Sequence, residues 1–215
     1  PAPLEAIPRR IRLVDGTMVS EPGSTGSQWR LHYSIELPGL HCDEVITTTP
    51  KDGETLKRFT VHPGDILIGD RGYAHPGGIA HVRREGGDVI IRSNLVTLPL
   101  YDSSGHRVSA LTLLRELKPG DCADWPVQIK HDKQFLAGRL CGLKKSEIAA
   151  EKARQRVRRE SQRGGTQIQP ETLEAAGYVF VFTTLDTPYP PSTVMELYRG
   201  RWQIELAFKR LKSLV

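Results

Sequence analysis

A chain of 215 residues can hold one sizeable core with an inserted subdomain, and 38% hydrophobic against 26% charged residues is the balance of a water-soluble globular protein. No apolar run approaches a membrane span and no signal-peptide pattern opens the sequence, so membrane-spanning and exported classes drop out and a cytoplasmic protein is expected. The net charge is +5, and residues 144–163 hold eight Lys or Arg against three Glu, so the whole excess sits in one segment: a polyanion contact, or a solvated salt-bridged helix.

Residues 10–14 (RIRLV) read as a strand that delivers Asp15 and Gly16 at its end. Residues 17–27, rich in Gly and Ser, read as a turn, followed by an alternating strand over 28–36 (QWRLHYSIE) and a third over 42–49 (CDEVITTT). Residues 53–59 are helix-compatible, and 65–69 (DILIG) form a compact buried strand that ends on Asp70. A Gly-weakened helix over 75–85 and a buried strand over 88–92 (DVIIR) complete an order of βββαβαβ with acids at the ends of the first and fourth strands. Asp65, Asp88 and Asp102 read as turn or cap acids.

Beyond residue 93 the pattern changes. Residues 95–101, 107–113, 126–130 and 135–140 read as short strands, the basic stretch as a helix from about 146 to 163 stopped by Gly164-Gly165, and 178–185 (YVFVFTTL) as a strong last strand. The division expected is therefore 1–94, a mainly β insertion over 95–187, and 188–215. Cys42, Cys122 and Cys141 lack a C-x-x-C spacing and read as small buried or half-buried thiols. The sequence opens on Pro and stops inside a helical pattern, which reads as a piece of a longer polypeptide.

Residues 190–215 read as one helix starting near Thr193, whose spacing to Glu196 is that of a capping box. At 100° per residue Val194, Leu197, Ile204, Phe208, Leu211 and Val215 fall on one side, which faces a core. Tyr198, Arg201, Glu205 and Lys212 share a second arc of about 60° and span about 21 Å. On geometry alone that row is a solvated face with ordinary i,i+4 pairs, or a track for a nucleic-acid backbone.

The spacing adds more. Tyr198, two residues, Arg201, three residues, Glu205, six residues and Lys212 match the Y-(2)-R-(3)-E-(6)-K motif, and the chain resembles the IS4-like DDE transposases over nearly all its length. Asp15 in V-D-G-T and Asp70 in D-R-G-Y match the contexts of that family's first two acids. The resemblance implies an α/β fold with an RNase H-like core, interrupted by a β-rich insertion before the helix that bears the glutamate. It implies Asp15, Asp70 and Glu205 as catalytic, metal-ligating carboxylates for two Mg²⁺ ions, with Mn²⁺ able to substitute. It implies Tyr198, Arg201 and Lys212 as phosphate contacts, and a homodimer that cuts transposon ends and joins the freed 3′-hydroxyl to target DNA.

That chemistry suits carboxylates. Phosphodiester cleavage needs charge neutralised on the attacking and leaving oxygens, which two divalent ions do, and Mg²⁺ prefers hard oxygen ligands. Trp202 reads as packed or as a stack for a displaced base, with Trp125 a weaker candidate, and Arg158 and Arg159 represent the basic segment as DNA contacts. Another RNase H-like nuclease and an inactive, transposase-derived DNA-binding protein remain the alternatives.

Overall fold

The structure, a computed structural model, describes residues 7–20, 23, 25, 26 and 28–213, with side chains through residue 207. It is mixed α/β and divides into two compact units, one of residues 1–92 with 196–215, the other of 93–195.

The first unit is built on strands β1 (Ile11–Val19), β2 (Trp29–Leu37), β3 (His41–Thr48), β4 (Ile66–Gly69) and β5 (Asp88–Arg92). Their order across the sheet is β3-β2-β1-β4-β5, with β1, β2 and β3 antiparallel and β1, β4 and β5 parallel. The parallel strands are continuous apolar runs because both their faces are covered: Ile66, Leu67, Ile68, Val89, Ile90 and Ile91 are fully buried. Helix α1 (Pro76–Arg84) starts on a proline, which suits a first turn whose N–H groups lack partners, and buries Ile79 and Val82. Gly86, with φ at +82°, stops it. Residues 53–59 give only a 3₁₀ turn at Leu56–Arg58, where the sequence pattern allowed a helix.

Charged side chains lie in this core, Arg12 the largest of them. Arg12 is 1% exposed, with Nε 2.6 Å from Asp43, Nη2 2.7 Å from Glu44 and Nη1 3.3 Å from Asp65. Asp65 therefore does more than cap a turn, and Asp88 likewise pairs with Arg9 at 2.7 Å and Arg83 at 2.5 Å. Asp102 is the turn acid expected, accepting the N–H groups of Ser104 and His106.

The second unit orders β10 (Tyr178–Thr183), β9 (Gln134–Lys144), β8 (Cys122–His131), β6 (Leu100–Tyr101) and β7 (Arg107–Val108). The β8–β9 hairpin turns through Asp132 and Lys133, both at positive φ, the backbone that two-residue hairpin loops prefer. Residues 107–113 do not form one strand: β7 is two residues long and Ala110–Leu114 is helix α2, which buries Ala110, Leu111 and Leu114 at a helical rather than an alternating spacing. Helix α3 (Glu147–Gly164) is capped by the Ser146 hydroxyl, which accepts the N–H of Ala149, and ended by Gly165 in the left-handed region. A short helix α4 (Pro170–Ala175) follows it. Of the thiols, Cys141 is buried, Cys122 half-buried and Cys42 exposed, the last against expectation because its end of the edge strand β3 faces solvent.

Gly138 in β9 is packed against both a side chain and a backbone carbonyl. A Cβ there would stand 2.4 Å from Phe182 Cζ and 2.6 Å from the carbonyl oxygen of Thr183. Gly138→Ala is expected to cost about 2–3 kcal/mol or more, since a backbone atom cannot yield as a side-chain tip can; the midpoint of urea unfolding measures it.

Candidate active site

β1 pairs in parallel with β4 as far as Leu13 and Ile68, and two further residues in that register bring Asp15 level with Asp70. Asp15 is not at a strand terminus, as the sequence suggested. Its own strand runs on to Val19 because β2 continues to pair with it, and Asp15 faces Tyr33 across that ladder. The acid stands where its parallel neighbour ends. There its Oδ1 accepts the N–H of Gly16 at 2.8 Å, while Asp70 caps the 3₁₀ turn Arg71–Tyr73 by accepting the N–H of Gly72 at 2.8 Å.

The segment bearing the spaced motif is two helices, not one. α5 (Pro191–Arg199) starts on its proline, two residues before the expected cap at Thr193, and α6 (Trp202–Ser213) follows a break at Gly200. The break is bridged by tighter i→i+3 bonds: Arg201 N–H donates to Tyr198, Gln203 to Gly200 and Ile204 to Arg201, at 3.0 to 3.1 Å. Val194, Leu197 and Ile204 are buried as the wheel predicts; the side chains of Phe208, Leu211, Lys212 and Val215 lie outside the described residues.

Across this break Arg201 joins the acids. Its Nη2 is 2.5 Å from Glu205 Oε1 and its Nη1 3.7 Å from Asp15 Oδ2, and its guanidinium lies 5.9 Å from the ring centroid of Tyr198. Burial works against the Arg201 charge, but Tyr198 and Glu205 leave its pKa raised. Arg92, at the end of β5, lies over the same tyrosine at 5.9 Å, with its Nε buried and unpartnered. Its pKa is lowered, first by burial. Trp202 is 49% exposed, so it is not packed; Trp125 donates its indole N–H to Glu116.

Two residues that the sequence reading passed over complete the arrangement. Glu54, in the loop before the 3₁₀ turn, comes so close to the backbone after both aspartates that a Cβ on Gly16 would be 2.9 Å from its Oε1 and one on Gly72 1.9 Å from its Oε2. Its pKa is raised, by burial first and then by Asp70 and Asp15, with Arg30 Nη1 at 3.5 Å opposing. Tyr73 is fully buried and its hydroxyl has no hydrogen-bond partner. Burial, then the charges of Glu54, Asp15 and Asp70, push that hydroxyl's pKa up. The D-R-G-Y stretch thus has a local reason for its residues: the aspartate caps the turn, the glycine leaves room for Glu54, and the tyrosine fills the core beneath. No spacing rule finds Glu54, since it sits alone in a loop; the G-E pair is its only mark.

The donors are hard carboxylate oxygens, the chemistry Mg²⁺ and Mn²⁺ require, and the two glycines leave room for that of Glu54. Among the described residues no three Asp, Glu, His or Cys side chains already close on a single point. Arg201 accounts for part of this, since it draws the Glu205 carboxylate to itself. In the second unit, Arg158 is paired with Glu151 at 3.1 Å, whereas Arg159 shares an open face of α3 with Lys152, Arg156 and Arg163, so the sequence-predicted pair points two ways.

Comparison with known proteins bears on this geometry. A family model described as the transposase DDE domain matches residues 7–214. The chain is 36% identical over 214 residues to the transposase for insertion sequence element IS421 of Escherichia coli, covering 96% of this chain and 58% of that protein. It is 27% identical over 238 residues to the transposase for insertion sequence element IS231F of Bacillus thuringiensis subsp. israelensis, covering 96% of this chain and 50% of that one. The chain thus spans between half and three-fifths of the length of these relatives.

Proposed function

The chain belongs to the transposase DDE domain family, and from that premise we propose that it carries the catalytic core of a DNA transposase. The reaction is hydrolysis of phosphodiesters at transposon ends, followed by transfer of the freed 3′-hydroxyl into target DNA. In this reading residues 1–94 and 188–215 make an RNase H-like core and 95–187 a β-rich insertion. Two such proteins pair on the two ends of the element.

The observation that carries the reading is the tie between three acids distant in sequence. Asp15 and Asp70 stand level across β1 and β4, and Arg201 bridges Asp15 to Glu205 at 3.7 and 2.5 Å. Asp15, Asp70 and Glu205 would hold two divalent ions, Mg²⁺ or Mn²⁺ in its place. Bound there, the ions would activate an oxygen nucleophile and stabilise the leaving oxygen.

The chain's own side chains do the positioning. Tyr198 and Arg201, with Lys212, hold phosphates beside the cut without reading sequence. Arg201 exchanges its carboxylates for a phosphate as DNA arrives, so the acids are freed when the substrate is in place. Trp202, exposed beside Arg201, offers its ring to a base displaced from the duplex. Lys152, Arg159 and Arg163, on the face of α3 where Arg156 is paired with Glu160, contact a nucleic-acid backbone.

Mn²⁺ titration calorimetry on the chain and on Asp70→Ala, with circular dichroism on both, tests the reading. Binding by the wild type that disappears in a folded variant is expected. Equal binding by both would remove Asp70 from the site, and with it the proposal.

A further inference from the structure

We propose that Glu54 is a fourth carboxylate of the metal site, seated between the backbone segments that follow Asp15 and Asp70; this rests on the function proposed above. Three observations carry it.

The first is shape. Gly16 follows Asp15 directly and Gly72 lies two residues after Asp70, and at both positions a Cβ would run into the Glu54 carboxylate, at 2.9 and 1.9 Å. Neither glycine is at positive φ, so neither is required by its backbone angles. Both make room. A carboxylate admitted this closely to the two aspartates is brought against like charge, an arrangement that a protein gains from only if a cation joins them.

The second is the balance of local charge. Among the described residues the cation paired with Glu54 is Arg30, at 3.5 Å, and the Nε of that arginine is buried without a partner. This is a loose pair, as loose as those of Asp65 at 3.3 and 3.6 Å, whereas Asp43 and Asp88 of the same unit are held by their arginines at 2.5 to 2.9 Å. Glu54 keeps lone pairs to offer.

The third is Tyr73, whose buried hydroxyl lies in the field of Glu54, Asp15 and Asp70 and makes no hydrogen bond. A buried hydroxyl without a partner is costly, and this one is close enough to the three acids to feel their charge. A metal-bound water held among them would satisfy it.

The ligand is a divalent cation of the Mg²⁺ and Mn²⁺ type, and the probe is Mn²⁺ itself. Titration calorimetry on wild type, Glu54→Gln, Arg30→Gln and the exposed control Glu85→Gln is expected to show at least tenfold weaker binding in Glu54→Gln alone. Arg30→Gln should bind as tightly as wild type or more so, because it removes a competing cation. Wild-type affinity in Glu54→Gln would overturn this inference while leaving the Asp70 reading intact. Weakening in Arg30→Gln equal to that in Glu54→Gln would also overturn it, by making Glu54 a structural partner only. An absence of Mn²⁺ binding by the wild type would overturn both readings. Should Glu54→Gln lose its cooperative melt, Glu54→Asp carries the test. Its carboxylate is drawn back from the cradle, so weaker binding is expected and wild-type affinity would overturn the inference.

Discussion

Asp15→Asn is expected to give a folded, more stable protein in which the proposed cleavage of DNA ends falls at least about a thousandfold, about 4 kcal/mol of lost transition-state stabilisation. The two effects have one origin. Burial is the largest influence on Asp15; the Gly16 N–H and Arg201 oppose it, Asp70 and Glu205 add to it, and the pKa settles at about 6. An acid whose folded pKa lies above its unfolded value, near 3.9, binds more protons in the folded state between about pH 4 and pH 6. Its contribution to stability is present below that window and is lost as pH rises through it.

At pH 7 the ionised Asp15 therefore costs the fold up to about 3 kcal/mol, which the neutral amide does not. Urea unfolding of wild type and variant at pH 4.5 and pH 7 should show a gap in favour of the variant that widens towards pH 7. A constant gap would mean that burial does not govern Asp15, and retained cleavage would take Asp15 out of the chemistry.

Arg12→Met is expected to lower the stability of the first unit by about 3–5 kcal/mol, a large part of the 5–15 kcal/mol of an ordinary domain. Arg12 reaches Asp43, Glu44 and Asp65 from a position 1% exposed, and its Nη1 also donates to the carbonyl of Thr60. Methionine fills much of the same volume but leaves Asp43 and Asp65, whose side chains are 7% and 2% exposed, with Arg10 alone at 2.9 and 3.6 Å. Arg12→Lys should recover only part of the loss, because one ammonium cannot serve three carboxylates in the fork geometry of a guanidinium. A drop in the urea midpoint at unchanged slope would show that the loss is one of stability alone. A loss under about 1 kcal/mol would mean that water reaches the cluster and screens it.

The strands of the first unit are legible in the sequence because each is a short apolar or alternating run closed by Gly, Pro or an acid: 88–92 matches β5 to the residue, and 65–69 matches β4 within one. What is not legible is what depends on a neighbour. The extension of β1 past Asp15 comes from the ladder with β2, and nothing in D-G-T-M-V by itself favours strand over turn. The helix α2 was read as a strand because V-S-A-L-T-L alternates as well as it winds. The break at Gly200 is invisible to a helical wheel, which assumes that one axis continues; yet Arg201 still meets Tyr198 three residues back, which a tight i→i+3 turn aligns, and Glu205 four residues on along α6.

The candidate site divides the same way. Asp15, Asp70 and Glu205 stand out as candidates in the sequence because they sit in recognisable short contexts. Glu54 and Arg92 do not, since each is a single residue whose surroundings are assembled from other segments, and only coordinates bring Gly16, Gly72 and Tyr198 to them. The separation of Arg158 from Arg159 follows from helix geometry, where consecutive residues point 100° apart.

The first unit is made from the two ends of the chain, residues 1–92 and 196–215, with the whole second unit between them. On a ribosome this sets an order of events. The five strands of the first unit emerge early, then wait while about a hundred further residues are made, about 5–20 s at ordinary speeds of synthesis. Only then does the segment with Arg201 and Glu205 leave the exit tunnel and meet Asp15. A message broken between the codons for Asp70 and Arg201 yields polypeptides with Asp15 and Asp70 but without the third acid of the proposed site.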